Sequence, residues 1–388
     1  MKLSIDKSEW PKLKFGSVID SITNRIDNPS EAGVDRYVGL EHLDPGSMSI
    51  SRWGTPDQVE ATKLLFQKGD VIFGRRRAYQ KKVSMASFSG ICSAHALVLR
   101  AKSGLIDPLF LPVFLSSEVF LDRAIKISVG SLSPTVNWKT LSTQEFALPP
   151  IDIQKEIAKL FWSIESQLET NEKLAEQLSK TLNSYMNEVV WDPSIGLVEL
   201  RNISTDVTIL DGDWIESNDM DENGDIRLLQ LSDIGIGYFK DNSSKWINES
   251  AAKRINVNYL KPNDILISRM ADPIGRSCLL PDLDTKCITA VDVAILRLSK
   301  ESADLPELVT LLNSQRWTDE VLRLSRGTTR TRITRKDLEK IRIPNLFLES
   351  NVSIVGTLKK FNKSLEAIRA ETIGLIDLKT RLLNEFLG

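Results

Sequence analysis

Cysteine is scarce: Cys92, Cys278 and Cys287 are the only three in 388 residues, and no two form a C-x-x-C pair. That excludes a disulfide framework and a zinc ribbon, and it fits a reducing compartment. Histidine is scarcer still. His42 and His95 have no partner at metal-binding spacing, so each reads as a surface or core residue. There is no G-x-x-x-x-G-K-[ST] loop for nucleotide phosphates and no G-x-S-x-G elbow for a nucleophilic serine. PDLDTK (281–286) is too tight for a nuclease centre and reads as a loop between strands, DPLF (107–110) lacks the second proline of an amino-methyltransferase motif, and DIGIGYF (233–239) is a lone glycine pattern. No run of about 18 uncharged apolar residues occurs, and the opening MKLSIDKSEWPKLKFG has no apolar signal region. The expectation is a cytoplasmic chain with no active site, no metal, no cofactor of its own and no membrane contact.

An excess of charge of either sign is also missing, since the formal net charge is −2. A balanced total still allows a strong local field, because the Debye length is only ~8 Å at physiological salt. The stretch RGTTRTRITRKDLEKIRIPN (326–345) carries seven basic and two acidic residues.

A similar frame occurs earlier, in GSLSPTVNWKTLSTQEFALPP. With Gly130 set against Gly327, a constant spacing of 197 residues pairs Val136 with Ile333, Leu141 with Leu338, Ile157 with Ile354 and Asn187-Glu188 with Asn384-Glu385. Upstream, FQKGDVIFGRRR aligns with LKPNDILISRMA at a spacing of 194, pairing Asp70 with Asp264. The middles differ strongly. The chain thus reads as two copies of one unit with shared ends.

Each copy ends in a heptad seam. In the first copy it runs through Ile157, Phe161, Ile164, Leu168, Leu178 and Leu182, and in the second through Ile354, Leu358, Phe361, Leu365, Ile368 and Leu375. Asn171, Thr372 and Lys379 are polar seam positions suited to fixing register, and Gly374 should weaken its helix by about 1 kcal/mol relative to alanine. Two such stripes in one chain suit mutual, antiparallel pairing; packing of each on its own domain is the alternative. LLFQKGDVIFGR, ICSAHALVLRA, YLKPNDILISR and ITAVDVAILRLS read as strands, whereas LFLPVFLSSEVFLDRAI and LPELVTLLNSQRWTDEVLRL carry helical spacing. The fold class is therefore α/β (α+β): domains at 1–150 and 192–347, with long helices at 151–191 and 348–388.

With no catalytic constellation, binding remains. In the second copy Arg326, Arg330, Arg332, Arg335 and Lys336 interleave with Thr328, Thr329, Thr331 and Thr334. Guanidinium groups bind phosphate in bidentate fashion and read guanine, and threonine hydroxyls bind phosphate oxygens. Neutralising six phosphates would lower log K by about 5 per decade of salt. The first copy carries its cations at GRRRAYQKK (Arg75, Arg76, Arg77, Lys81 and Lys82, with Tyr79 between them), facing SRMADPIGR with Arg269 and Arg276 in the second. Its own G-S loop adds Ser133, Thr135, Asn137 and Lys139. On charge alone, a solvated loop or a dock for an acidic protein fits equally well.

The ordered set of motifs resembles the specificity subunit of type I restriction–modification systems. The set is KGDVIF and PNDILI, then GSLSPTVNWKTL and GTTRTRITRKDL, then FALPP and IRIPN, then a heptad helix, twice over nearly the whole chain. The resemblance implies two target recognition domains on double-stranded DNA, each reading half of a bipartite site, with the two helices as an antiparallel coiled-coil ruler between them. It implies two modification (methyltransferase) subunits docked around the helices, and two restriction subunits as an optional addition. Those partners would bring S-adenosylmethionine, magnesium and ATP, and this chain would be non-catalytic. Asn263 departs from the family's turn glycine, a small change because asparagine tolerates left-handed backbone. The family's glutamine near the helix start is present as Gln154, but Ser350-Asn351 stands there in the second copy, leaving that helix's docking surface open. The rival readings are a free-standing sequence-specific DNA-binding protein and a coiled-coil scaffold that docks acidic proteins.

Overall fold

The turn–strand motif that opens each shared frame shows how the sequence is used. Gly69 (φ +93°) and Asn263 (φ +70°) both adopt the left-handed conformation that the turn requires. The next residue, Asp70 or Asp264, is buried and accepts from a backbone N–H three residues back, Gln67 at 2.8 Å and Lys261 at 2.7 Å. Each carboxylate also takes a two-pronged pair from an arginine on a neighbouring strand, Arg100 at 2.6 and 2.8 Å and Arg297 at 2.7 Å twice. Hydrogen-bonding every lone pair is the condition for burying such a charge.

The computed structural model describes residues 7–102, 104–270, 272–298, 304–327 and 330–388. Its contacts divide into two units, residues 1–173 with 370–388, and residues 174–369. In the first unit the strands Ile19–Ile22, Leu97–Ala101, Val71–Phe73 and Val83–Met85 form an antiparallel sheet in that spatial order. The second unit repeats it with Thr208–Asp211, Val293–Arg297, Ile265–Ser268 and Ser277–Leu279. The central strands read as continuous apolar runs because both faces are covered. A second sheet holds the divergent middles. It has four strands in the first unit and three in the second, each including one parallel pair, Tyr37–Val38 with Gly90–Ser93 and Ile226–Leu229 with Lys286–Thr289.

A two-stranded ribbon closes each domain. Lys12–Lys14 pairs with Glu145–Ala147, and Leu197–Glu199 with Arg342–Pro344, so FALPP and IRIPN do form strands. The predicted helical segments form helix pairs, Phe110–Leu115 with Glu118–Lys126 and Leu305–Leu311 with Gln315–Leu324. Ser117 and Ser314 cap the second helix of each pair, accepting from the Phe120 and Trp317 amides at 3.4 Å. These helices cover one face of the first sheet. Phe15, Phe73, Phe114, Phe120 and Phe146 interlock there in the first unit, and Trp317 lies among aliphatic side chains in the second.

The long helices run Ile151–Tyr185, continued by one π turn over Met186–Val190, and Val352–Leu387. Within the first unit Phe161 meets Phe386, Glu165 meets Lys379 at 2.5 Å and Asn171 meets Thr372 at 3.4 Å. Within the second, Tyr185 meets Phe361, with ring centres 5.9 Å apart. Within the first unit numbers rise on one helix as they fall on the other, so the pairing there is antiparallel. Ile157, Phe161, Ile164, Ile354 and Leu358 are buried, while Leu168, Leu178, Leu182, Phe361, Leu365, Ile368 and Leu375 are half-buried. Gln154 is buried at the start of the first helix. It accepts from the Asp107 amide and donates to the Pro149 carbonyl, both at 2.8 Å, so this glutamine pins the helix to its own domain. In the second copy Asn351 donates to the Asn345 carbonyl at 2.7 Å.

All three cysteines are free and buried; burial pushes the thiols up, that of Cys278 to about 12. They should stay unlabelled by maleimide at pH 8 until the chain unfolds, read by mass spectrometry. The buried pair of Glu165 and Lys379 is extended by the Met48 amide on Glu165 and by the Gly46 carbonyl on Lys379. Lys379→Met should cost about 3 kcal/mol or more in urea unfolding, because it leaves the carboxylate buried without its cation. Glu165→Gln/Lys379→Met should recover most of that loss.

Candidate nucleic-acid interface

In both copies the strand after the Asp turn runs into a segment that is gripped by the glycine loop from the far end of the repeat. In the first unit the Val136 amide donates to Arg75 O (2.9 Å), the Arg77 amide to Pro134 O (2.7 Å), and Arg76 bridges to Thr135. In the second, the Ile333 amide donates to Arg269 O (3.0 Å) and Met270 bridges to Arg332. The loops close on themselves in the same way, Val129 with Thr135 (3.1 and 3.0 Å) and Arg326 with Arg332 (2.9 Å twice). Gly130 (φ +117°) and Gly327 (φ +106°) make this closure possible; a Cβ at Gly327 would lie 2.7 Å from Arg330 O. Arg75, Arg76 and Arg77 in the first unit, and Arg269 in the second, therefore lie against the glycine loop of their own unit.

Their side chains divide into two groups. Several arginines are spent on the protein itself. Arg269 is buried, pairs with Asp211 and donates to Ile333 O at 3.2 Å; its pKa is lowered first by burial. Arg335 reaches Ile209 O (3.2 Å), Asp211 (3.4 Å) and Glu339 (3.3 Å). Arg332 binds Val291 O and Asp292, each at 3.3 Å. Arg276 gives three bonds to the carbonyls of Ile234, Pro273 and Leu231. Arg75 donates to Ala94 O at 3.1 Å, and Lys82 to Leu40 O at 2.5 Å. Thr334 caps the short helix Arg335–Leu338, accepting from the Asp337 amide at 3.1 Å.

The second group faces water. Arg76 and Arg77 are exposed, each with one bond of 3.3 Å to Ser133 Oγ, which leaves most guanidinium donors for a ligand. Lys81, Lys139, Asn137 and Tyr79 are exposed beside them, and Thr135 Oγ1 donates to Ser133 O at 3.1 Å. In the second unit Arg326, Arg330 and Lys336 are exposed and make no side-chain hydrogen bond or ion pair among the described residues; Thr331 is half-buried. Thr328 and Thr329 lie outside the described residues. His95 records the local field: its pKa is lowered first by desolvation, then by the Arg76 and Arg75 guanidiniums.

One surface cluster escaped the sequence reading. Arg36 lies over the rings of Trp53 (4.4 Å) and Phe88 (4.5 Å) in the divergent middle of the first copy. No motif links three residues so far apart in sequence. Among the described residues no group of three or more His, Cys, Asp or Glu is placed to hold a metal ion, and no helix is long and apolar enough to cross a membrane.

A duplicated α/β scaffold with exposed cations at equivalent ends, its long helices in contact within each unit, is the architecture of a recognition subunit rather than of a catalytic one. The chain belongs to the type I restriction modification DNA specificity domain family, whose pattern matches residues 7–180 and again 201–375. Its part in such a system is recognition, not catalysis. It is 26% identical to the type I restriction enzyme MjaVIII specificity subunit of Methanocaldococcus jannaschii, over 97% of this chain and 91% of that protein. It is 25% identical to the EcoDI specificity subunit of Escherichia coli over 47% of this chain and 41% of that one. Two solved structures share the fold. One is the type I restriction–modification S subunit of M. genitalium (14% identity, 100% and 98% of the two chains, TM-score 0.58). The other comes from work on assembly and conformational transition of the type I system (20% identity, 97% of both chains, TM-score 0.54).

The division of the arginines is testable. Arg269→Ala should lower stability by about 2 kcal/mol, since it strips Ile333 O of its donor and Asp211 of one of its two guanidinium partners. Arg326→Ala/Arg330→Ala should leave the unfolding free energy in urea within about 0.5 kcal/mol of the parent. The double variant should also flatten the salt dependence of DNA binding by about two phosphate contacts.

Proposed function

We propose that each unit reads one half of a bipartite site in double-stranded DNA, and that the chain directs adenine methylation by two modification subunits. Restriction follows where two restriction subunits join. S-adenosylmethionine, magnesium and ATP belong to those partners. The observation that carries this reading is the repeated grip of glycine loop on basic segment, which presents exposed cations at equivalent ends of two domains whose middles differ. Equivalent cations suit the uniform phosphate backbone, and divergent middles suit different base sequences. Arg76, Arg77, Lys81, Lys139, Arg326, Arg330 and Lys336 are the phosphate and base contacts. Arg269, Arg276, Arg332 and Arg335 hold the loops in place behind them. The site of action is the cytoplasm, where the DNA is.

A genome-wide map of N6-methyladenine with the gene intact and deleted tests the reading. Deletion should erase one split motif of two short half-sites with a fixed gap, and Arg326→Ala/Arg330→Ala should reduce methylation of the same motif. An unchanged map, together with tight site-specific binding by the purified chain alone, would favour a free-standing DNA-binding protein. No sequence-dependent DNA affinity in any combination would favour a scaffold for acidic proteins.

A further inference from the structure

Leu132 is 90% exposed, more than any other large hydrophobic side chain among the described residues, and Val129 on the same loop is 68% exposed. The loop is not slack. Reciprocal backbone bonds join Val129 and Thr135, Gly130 turns the chain at positive φ, and Pro134 restricts the descending side. The Arg77 amide holds Pro134 O at 2.7 Å, and the Arg76 and Arg77 guanidiniums both hold Ser133 Oγ. The fold thus positions an apolar tip in water, next to Ser133, which the exposed Arg76 and Arg77 guanidiniums hold.

We infer that Leu132 is a wedge that enters the base stack of the half-site bound by the first unit. The inference rests on the reading that this unit binds double-stranded DNA. The partner of such a tip must offer an apolar slot flanked by negative charge. A base step is that surface, apolar between the base faces and anionic along both strands. An apolar side chain inserted there unstacks the step and bends the duplex, while cations beside it hold the phosphates. Unstacking costs a few kcal/mol, offset by burial of the leucine and by the contacts that the bend brings within reach. In the second copy the aligned position is Thr329, followed by Arg330, so the wedge belongs to one half-site only.

The test uses the full chain assembled with its modification subunits, and duplexes carrying 2-aminopurine at successive steps of each half-site, away from the methylated adenine. The wild-type complex should brighten the probe at one step of one half-site. Leu132→Ser should abolish that signal and weaken binding about tenfold, and Leu132→Met should keep both. A mismatch that opens the step in advance should return most of the lost affinity to Leu132→Ser. Equal signal and affinity in Leu132→Ser and wild type would overturn the wedge and leave the DNA reading intact. A wild-type complex that binds no DNA would overturn the DNA reading itself. If Leu132→Ser instead sheds its modification subunits on a sizing column and keeps the probe signal, the tip docks protein, and the wedge is again overturned. The side chain has almost no contact with its own chain, so the variants should fold as the parent does.

Discussion

A helix of 35 or 36 residues with an apolar stripe along one side cannot stand alone in water, and most of this molecule's organisation follows from covering those stripes. Inside each unit a length of one long helix lies against a length of the other, in the opposite sense in the first. The ends nearest the domains are the most buried: Ile157, Phe161 and Ile164 join the first domain's core with Leu382 and Phe386, and Ile354 and Leu358 join the second. Each domain's core is therefore completed by the C-terminal part of the helix that belongs, in sequence, to the other copy: Leu382 and Phe386 in the first, Met186 and Val190 in the second.

On this base the two copies keep one set of devices. The buried aspartate with its paired arginine fixes the turn, the capped helix pair covers the sheet, and the positive-φ glycine loop holds the basic segment. The guanidinium at one carbonyl shows how such a frame drifts. Arg75 reaches Ala94 O in the first unit, and Arg332 reaches Val291 O in the second. Those carbonyls are equivalent by the spacing that sets Arg100 on Arg297, but the arginines come from opposite sides of the grip. The need for a cation there has outlasted the identity of the residue supplying it.

Much of this was legible in the sequence. Seam residues recur because helix geometry repeats, and Asn263 could be read as left-handed because few side chains tolerate that turn. The use of each arginine was not legible. In RGTTRTRITRK the basic residues are alike, but Arg332 and Arg335 turn towards Asp292 and Asp211, while Arg326 and Arg330 face out. Those acids lie 40 or more residues away, and only the tertiary fold brings them near. Gln154 was opaque for the same reason: a polar residue at a helix start reads as a surface contact until the Asp107 amide is seen above it. The aromatic cluster around Arg36 had no local signature at all.

The buried ion pair on the helices carries a consequence for self-recognition. By the 197-residue spacing, Glu165 corresponds to Asn362 and Lys379 to Leu182, so the charge pair exists in one unit and has no copy in the other. Two first halves brought together as a symmetric dimer would set each Glu165 opposite a leucine, burying two carboxylates with no cation to answer them. The chain's halves, although cut from one pattern, are thus marked as left and right. The mark lies in the seam between the long helices, where the Met48 amide and the Gly46 carbonyl complete it.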